Sequence, residues 1–195
     1  NNEILIAILN ERDLSYFDVY RLNVITQKLT LAFSNPGNVV KWFADEKGKL
    51  RMAIESDGVN ETLLYREKES MPFKPIVTNN FKTTITPIGF CSHDTSCIYA
   101  LSNIGRDKKA LVEFNCKTGE EYKVIFSHPE VDITEALYAP GQRKLLSFSF
   151  ETWKGENFFL DESFKQINAD LIERLPGSQV QIVDRDSLDQ KFIVK

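Results

Sequence analysis

Basic residues do not dominate this chain: 24 lysines and arginines face 28 acids, a formal charge of −4 over 195 residues. Binding a phosphate backbone needs a basic patch, and here both signs are scattered, so nucleic acid is excluded as an expected partner. Long apolar runs are missing too. The longest, Ile4 to Leu9, falls far short of the roughly 20 residues of a membrane span, and it has no signal-peptide anatomy. No membrane partner is expected. Histidine is scarce, with two residues, and cysteine little commoner, with three. Cys91, Cys97 and Cys116 show no metal-binding spacing and read as small buried hydrophobes. A Cys91–Cys97 bridge between neighbouring strands is the alternative.

Motifs that carry chemistry are absent as well. None of the nine glycines belongs to a G-x-S-x-G, so the chain has no nucleophile elbow. It has no P-loop, dinucleotide fingerprint, H-E-x-x-H or C-x-x-C. His93, in a turn beside Asp94, and His128, before Pro129, read as surface or turn histidines. Asp184-Arg185-Asp186 with Asp189 lacks the glycine and distal glutamate of a calcium loop and reads as a solvated hairpin turn. Asn60-Glu61-Thr62 matches the N-glycosylation pattern, a tripeptide common by chance. No catalytic, cofactor-binding or metal-binding residue is assigned, and no cofactor is expected.

What is present is a repeat. Five apolar segments start at Ile4, Leu50, Cys97, Leu145 and Lys191, in steps of 46, 47, 48 and 46 residues. The first three are followed by a turn with an acidic residue and a second strand-like run. Several strands in each unit of 40 to 50 residues point to the blades of a β-propeller. The expected fold is all-β: a partial propeller of four to five four-stranded antiparallel blades. The repeats fall at 1–38, 39–80, 81–129, 130–178 and a partial 179–195, all in one propeller fragment, residues 1–195. Within them, Leu29 to Phe33, Val39 to Ala44, Leu50 to Glu55, Ile85 to Cys91 and Cys97 to Ser102 read as strands.

The fourth repeat departs from the pattern. Phe164, Ile167, Leu171, Ile172 and Leu175 recur at helical spacing, predicting one short helix near 163–175, capped by Asp161 or Ser163 and stopped by Pro176-Gly177. Trp42, in an inner strand, reads as a filler between blades. Trp153, in a predicted loop, is either filler or an exposed binding aromatic. The turns Glu11-Arg12-Asp13, Ser56-Asp57-Gly58 and Gly105-Arg106-Asp107 recur in register, and their aspartates are expected to accept backbone N–H bonds and fix each turn.

The phrases NERDLSYFDVYRLNVITQKL, SDGVNETLLYR, SNIGRDKKALVEFNCKTGEE and HPEVDI together resemble the propeller of prolyl oligopeptidase family serine peptidases, the acylaminoacyl-peptidase-like group. The helix ending in LIERLPGSQV is similar to an insertion in the same propellers. The likeness covers essentially the whole chain. It implies a propeller preceding an α/β-hydrolase domain that carries the Ser, Asp and His, and a cover that restricts the active site to short peptides. None of the triad lies in these residues, and the glutamate pair by which some relatives hold a peptide N-terminus is not found, so this chain is not expected to be an enzyme itself.

The partners so implied are the hydrolase domain of the same parent chain and, through it, short peptides. The family has seven or eight blades and this chain four and a half, ending in mid-strand, so a piece of a longer chain is expected. An open arc would expose an apolar blade face at each end. Such an arc should self-associate there, or close by bringing Val180 to Val183 beside Ile4 to Leu9; the open arc or dimer is preferred. A stand-alone propeller-like scaffold, TolB-like or WD-type, is the alternative.

Overall fold

In the computed structural model, residues 3–177, 180, 182–186 and 191–195 are described, with the backbone only at 183–185. Alternating apolar residues give four antiparallel sheets in sequence order. Blade I holds β1 (Ile4–Asp13), β2 (Tyr16–Asn23) and β3 (Leu29–Phe33). Blade II holds β4 (Val39–Ala44), β5 (Leu50–Ser56), β6 (Glu61–Tyr65) and β7 (Lys74–Asn79). Blade III holds β8 (Ile85–Phe90), β9 (Cys97–Ser102), β10 (Ala110–Asn115) and β11 (Glu120–Phe126). Blade IV holds β12 (Ile133–Ala139), β13 (Lys144–Glu151) and β14 (Gly155–Phe159). A helix, α1 (Glu162–Arg174), and a hairpin of β15 (Ile182–Arg185) and β16 (Phe192–Val194) follow. The partial propeller is therefore present, but among the described residues only the middle two blades have four strands. By the repeat, β1 matches β5, β9 and β13, so blade I begins at its second strand. Blade IV has a helix where its outer strand would be.

The core lies between blades, and strand pleating divides it. Side chains alternate faces along a strand. β9 is buried throughout: Ile98 and Ala100 join Met52, Ile54, Leu63 and Tyr65 of blade II, whereas Cys97, Tyr99 and Leu101 join Ile133, Leu145, Phe148 and Phe150 of blade IV. β10 divides likewise, with Val112 and Phe114 toward blade II and Leu111 toward blade IV. Each fully buried Ile, Leu or Phe contributes about 1.5–3 kcal/mol. At one point the layer is too tight for a side chain: a Cβ on Gly89 would fall under 3.0 Å from three ring atoms of Tyr138. The Tyr138 hydroxyl donates to the Phe90 carbonyl at 2.8 Å, tying β12 to β8.

The contact between blades I and II is more polar. Asp18 is fully buried, accepts from Arg12 Nε at 2.7 Å and from the Asn35 backbone N–H at 2.6 Å. The Arg12 guanidinium and that N–H hold the Asp18 carboxyl below the usual carboxylate range. Trp42 fills this gap as expected: its ring meets Phe33 edge-on at 5.2 Å, and its Nε1 donates to the Phe17 carbonyl at 3.2 Å. The Arg66 guanidinium stacks on Phe73 beside it, 4.3 Å from the ring centre.

At the other end, Asp161 caps α1 by accepting from the Phe164 N–H at 2.7 Å, one of the two caps foreseen. Of the helix's apolar face only Phe164 is buried, packed with Ala139 and Leu146; Ile172 and Leu175 are exposed. β1 pairs with β2 and β15 with β16, so among the described residues the arc stays open rather than closing through Ile4 to Leu9.

Candidate functional site

Chain order equals spatial order in every blade, so successive strands turn alternately at two ends of the arc. Hydrogen bonds show which turns share an end. Arg12, beside the β1–β2 turn, donates to Asn35 O in the β3–β4 link, and Ser56 N, by the β5–β6 turn, donates to Asn38 O in the same link. Asn103, by the β9–β10 turn, bonds Thr84 and Lys82 in the β7–β8 link, and Lys109 N donates to Asp132 in the β11–β12 link. His128, in that link, packs on Phe150 near the end of β13 at 4.9 Å. These turns and links form one face.

The most exposed large apolar side chains of the described residues all project from that face. They are Leu14 (85% exposed), Val59 (88%), Phe81 (93%) and Trp153 (87%), at the tips of the β1–β2, β5–β6, β7–β8 and β13–β14 connections. Lys82 and Lys154 lie over the Phe81 and Trp153 rings at 5.5 and 5.0 Å. Trp153 is thus the exposed aromatic, not the filler. Single exposed hydrophobes are ordinary; here three sit in corresponding turns of blades I, II and IV, and Phe81 sits in the link between blades II and III on the same face.

The opposite face is ionic. Arg21 and Lys49 pair with Glu69, Arg51 with Asp45 at 3.3 Å, Arg143 with Glu46 at 3.7 Å, Lys117 with Glu67 at 3.0 Å, and Lys144 with Asp161. Asp45, Glu46, Lys49, Arg51, Glu69 and Arg143 of these groups line a cleft of about 440 Å³, with Phe90 and Thr95. Arg51 also donates to Tyr65 Oη at 2.9 Å and Arg66 O at 3.0 Å. Arg143 joins three blades: it pairs with Glu46 of blade II and donates to the carbonyls of Cys91 and Asp94 in blade III.

The residues singled out in the sequence scatter between these faces. Cys91 and Cys97 are disulfide-bonded across the β8–β9 turn, 5.3 Å apart at Cα. This corrects the reading of three free buried thiols, because β8–β9 pairing sets the two cysteines at bridging distance. Cys116 is free and buried, and burial pushes its thiol up to about 12. His93 lies over that disulfide on the ionic face, with Nε2 2.9 Å from the Tyr122 hydroxyl and 3.8 Å from Glu113. The Nδ1 of His128 accepts from the Glu130 and Val131 backbones, shaping a link on the apolar face.

Of the recurring acids, Asp13 accepts from Ser15 N and Asp57 from Val59 and Asn60 N, as expected. In the third turn Asp107 instead pairs with neighbouring Lys108, and Asn103 organises the loop. Asp186 closes the β15–β16 hairpin by accepting from Lys191 N at 3.0 Å. Asp189 and the side chains of Asp184 and Arg185 lie outside the described residues. What sequence reasoning missed is the grouping of Cys91, His93 and Cys97, whose ligand atoms all lie within 4.8 Å of one another. The signal was the spacing C-x-H-x-x-x-C.

No protein-family model matches the chain. A curated protein is similar: dipeptidyl aminopeptidase BIII of Pseudoxanthomonas mexicana, 23% identical over 196 residues. That match takes in 95% of this chain and 27% of the relative, so the chain spans about a quarter of the relative's length. Among solved structures, an oligogalacturonate lyase from Vibrio parahaemolyticus aligns over 76% of this chain and 42% of its own, at 13% identity and a TM-score of 0.44. Sequence and structure together describe a propeller-type domain with distant similarity to a peptidase.

Proposed function

We propose that this chain is a non-catalytic propeller segment of a prolyl oligopeptidase-like serine peptidase, which covers the active site and restricts it to short peptides. The observation that carries the reading is the single face of exposed apolar tips, Leu14, Val59, Phe81 and Trp153. A surface of this kind fits an interface with a second domain better than free solvent. The distant similarity to an aminopeptidase several times longer supports a parent chain with such a domain. The hydrolase domain of that parent would supply the nucleophile, since this sequence has no G-x-S-x-G.

The test uses the full reading frame. The reading expects a G-x-S-x-G segment beyond these residues and no turnover of dipeptidyl or acyl-peptide chromogenic substrates by the 195-residue chain itself. In the parent enzyme, Phe81→Asp with Trp153→Asp should raise the cleavage of long peptides relative to short ones. A frame without the nucleophile segment, or unchanged size discrimination in a folded variant, overturns the reading.

A further inference from the structure

We propose that, when reduced, Cys91 and Cys97 join His93 in a three-ligand site for a thiophilic divalent cation such as Zn²⁺, and that oxidation to the disulfide ejects the ion. The two sulfurs and one imidazole nitrogen already lie within 4.8 Å of one another. Tetrahedral zinc, with Zn–S near 2.3 Å, needs two sulfurs about 3.8 Å apart. Breaking the S–S bond and turning the side chains is enough to reach that spacing.

The backbone that presents the three ligands does not depend on the disulfide. Cys91 N donates to Cys97 O at 2.9 Å, Cys97 N to Asp94 O at 3.3 Å, and Cys116 N to Ser96 O at 2.8 Å. Asp94 accepts from both Ser96 N and Ser96 Oγ, and Arg143 fastens the carbonyls of Cys91 and Asp94. The loop therefore keeps its shape as a dithiol. His93 is half exposed and gives a path from solvent, while both cysteines are buried. With the ion on Nδ1, the Tyr122 hydroxyl and Glu113 at Nε2 hold the ring, the usual role of outer partners in such sites. Two thiolates balance the 2+ charge, and a water completes the fourth position.

The redox step balances with a disulfide oxidant such as oxidised glutathione. One cysteine thiolate attacks it, forming a mixed disulfide and releasing one glutathione thiolate. The second cysteine then attacks the first, releasing the other glutathione thiolate and closing Cys91–Cys97. The protein loses two electrons, the glutathione disulfide gains them, and the ion departs with no thiolate left to hold it.

The test is cobalt titration of the 195-residue chain, reduced and metal-free, under argon, followed by zinc competition. Expected are one equivalent of Co²⁺ with thiolate-to-metal charge transfer and tetrahedral d–d bands, displaced by Zn²⁺, and their loss on adding oxidised glutathione. His93→Ala should weaken binding at least about tenfold while the melting temperature of its oxidised form stays at the wild-type value, which separates a ligand from a folding role. Absence of the charge-transfer band in the reduced protein, or equal affinity in His93→Ala, overturns the site. Neither result bears on peptidase parentage, which rests on the other face.

Discussion

Replacing Gly89 with alanine should drive the Tyr138 ring of blade IV out of its place against blade III. The new methyl would occupy the space of the Tyr138 ring, under 3.0 Å from three of its atoms. β8 is paired to β9 on one side, so the ring must yield rather than the strand. Overpacking of this kind costs about 1–3 kcal/mol. A displaced ring also gives up its hydrogen bond to Phe90 O, worth about 1 kcal/mol. It loses its contact with Tyr99 at 6.2 Å, worth about 0.5–1.5 kcal/mol. Together the loss is about 4 kcal/mol, a large share of a domain's net stability. Urea unfolding measures it as a lower midpoint at constant slope. The same Gly89→Ala change made on top of Tyr138→Ala should cost less than about 0.5 kcal/mol, because the obstacle is gone. A single variant within about 0.5 kcal/mol of wild type, or a cost that persists without the Tyr138 ring, refutes the reasoning.

Asp18→Asn should destabilise the chain at neutral pH. The Asp18 carboxyl is held low by Arg12 and Asn35, so its stabilisation is complete above the unfolded value and lost as pH falls through the lower folded one. The gap between variant and wild-type urea midpoints should therefore hold from about pH 7 to 5 and close below about 4; a gap unchanged in acid counts against the ion pair. Breaking Cys91–Cys97 with reductant should cost about 2 kcal/mol for so short a loop, and the unfolded, unreduced chain should titrate one thiol, Cys116. Trp153→Ser should leave stability within about 0.5 kcal/mol but remove most iodide-quenchable fluorescence, since Trp153 is exposed and Trp42 is partly covered. Leu5→Glu with Leu31→Glu, both on the outer face of blade I, should reduce any concentration-dependent mass in light scattering; an unchanged dimer would place the contact elsewhere.

The strands were legible because burial on one or both faces writes itself into every second residue. Leu29–Phe33, Val39–Ala44 and Cys97–Ser102 occupy the residues that the pattern predicts. The helix was legible from its spacing, but its burial was not. Ile172 and Leu175 fit an apolar stripe and are nonetheless exposed, because periodicity reports which residues share a face and not what covers it. The three strands of the first blade were legible too, because the repeat aligns the segment from Ile4 with those from Leu50 and Cys97, the second strands of their blades. Cys91 and Cys97 were ambiguous at a separation of six, and only the register of β8 on β9 brings them together. The apolar and ionic faces lay beyond the sequence because each is assembled from turns tens of residues apart. Arg143 reaching Cys91 across 52 positions has no local trace.

Burial of β9 on both sides makes neighbouring codons answer to different parts of the molecule. A change at Ala100 is felt by blade II and a change at Leu101 by blade IV, although one peptide bond separates them. Deleting a single residue from this strand would hand each neighbour the surface shaped for the other, so length variation among its homologues should be confined to the turns. Substitution histories at Ile98 and Ala100 should track Met52 and Leu63, while those at Tyr99 and Leu101 track Leu145 and Phe148: two interleaved records of descent within six residues.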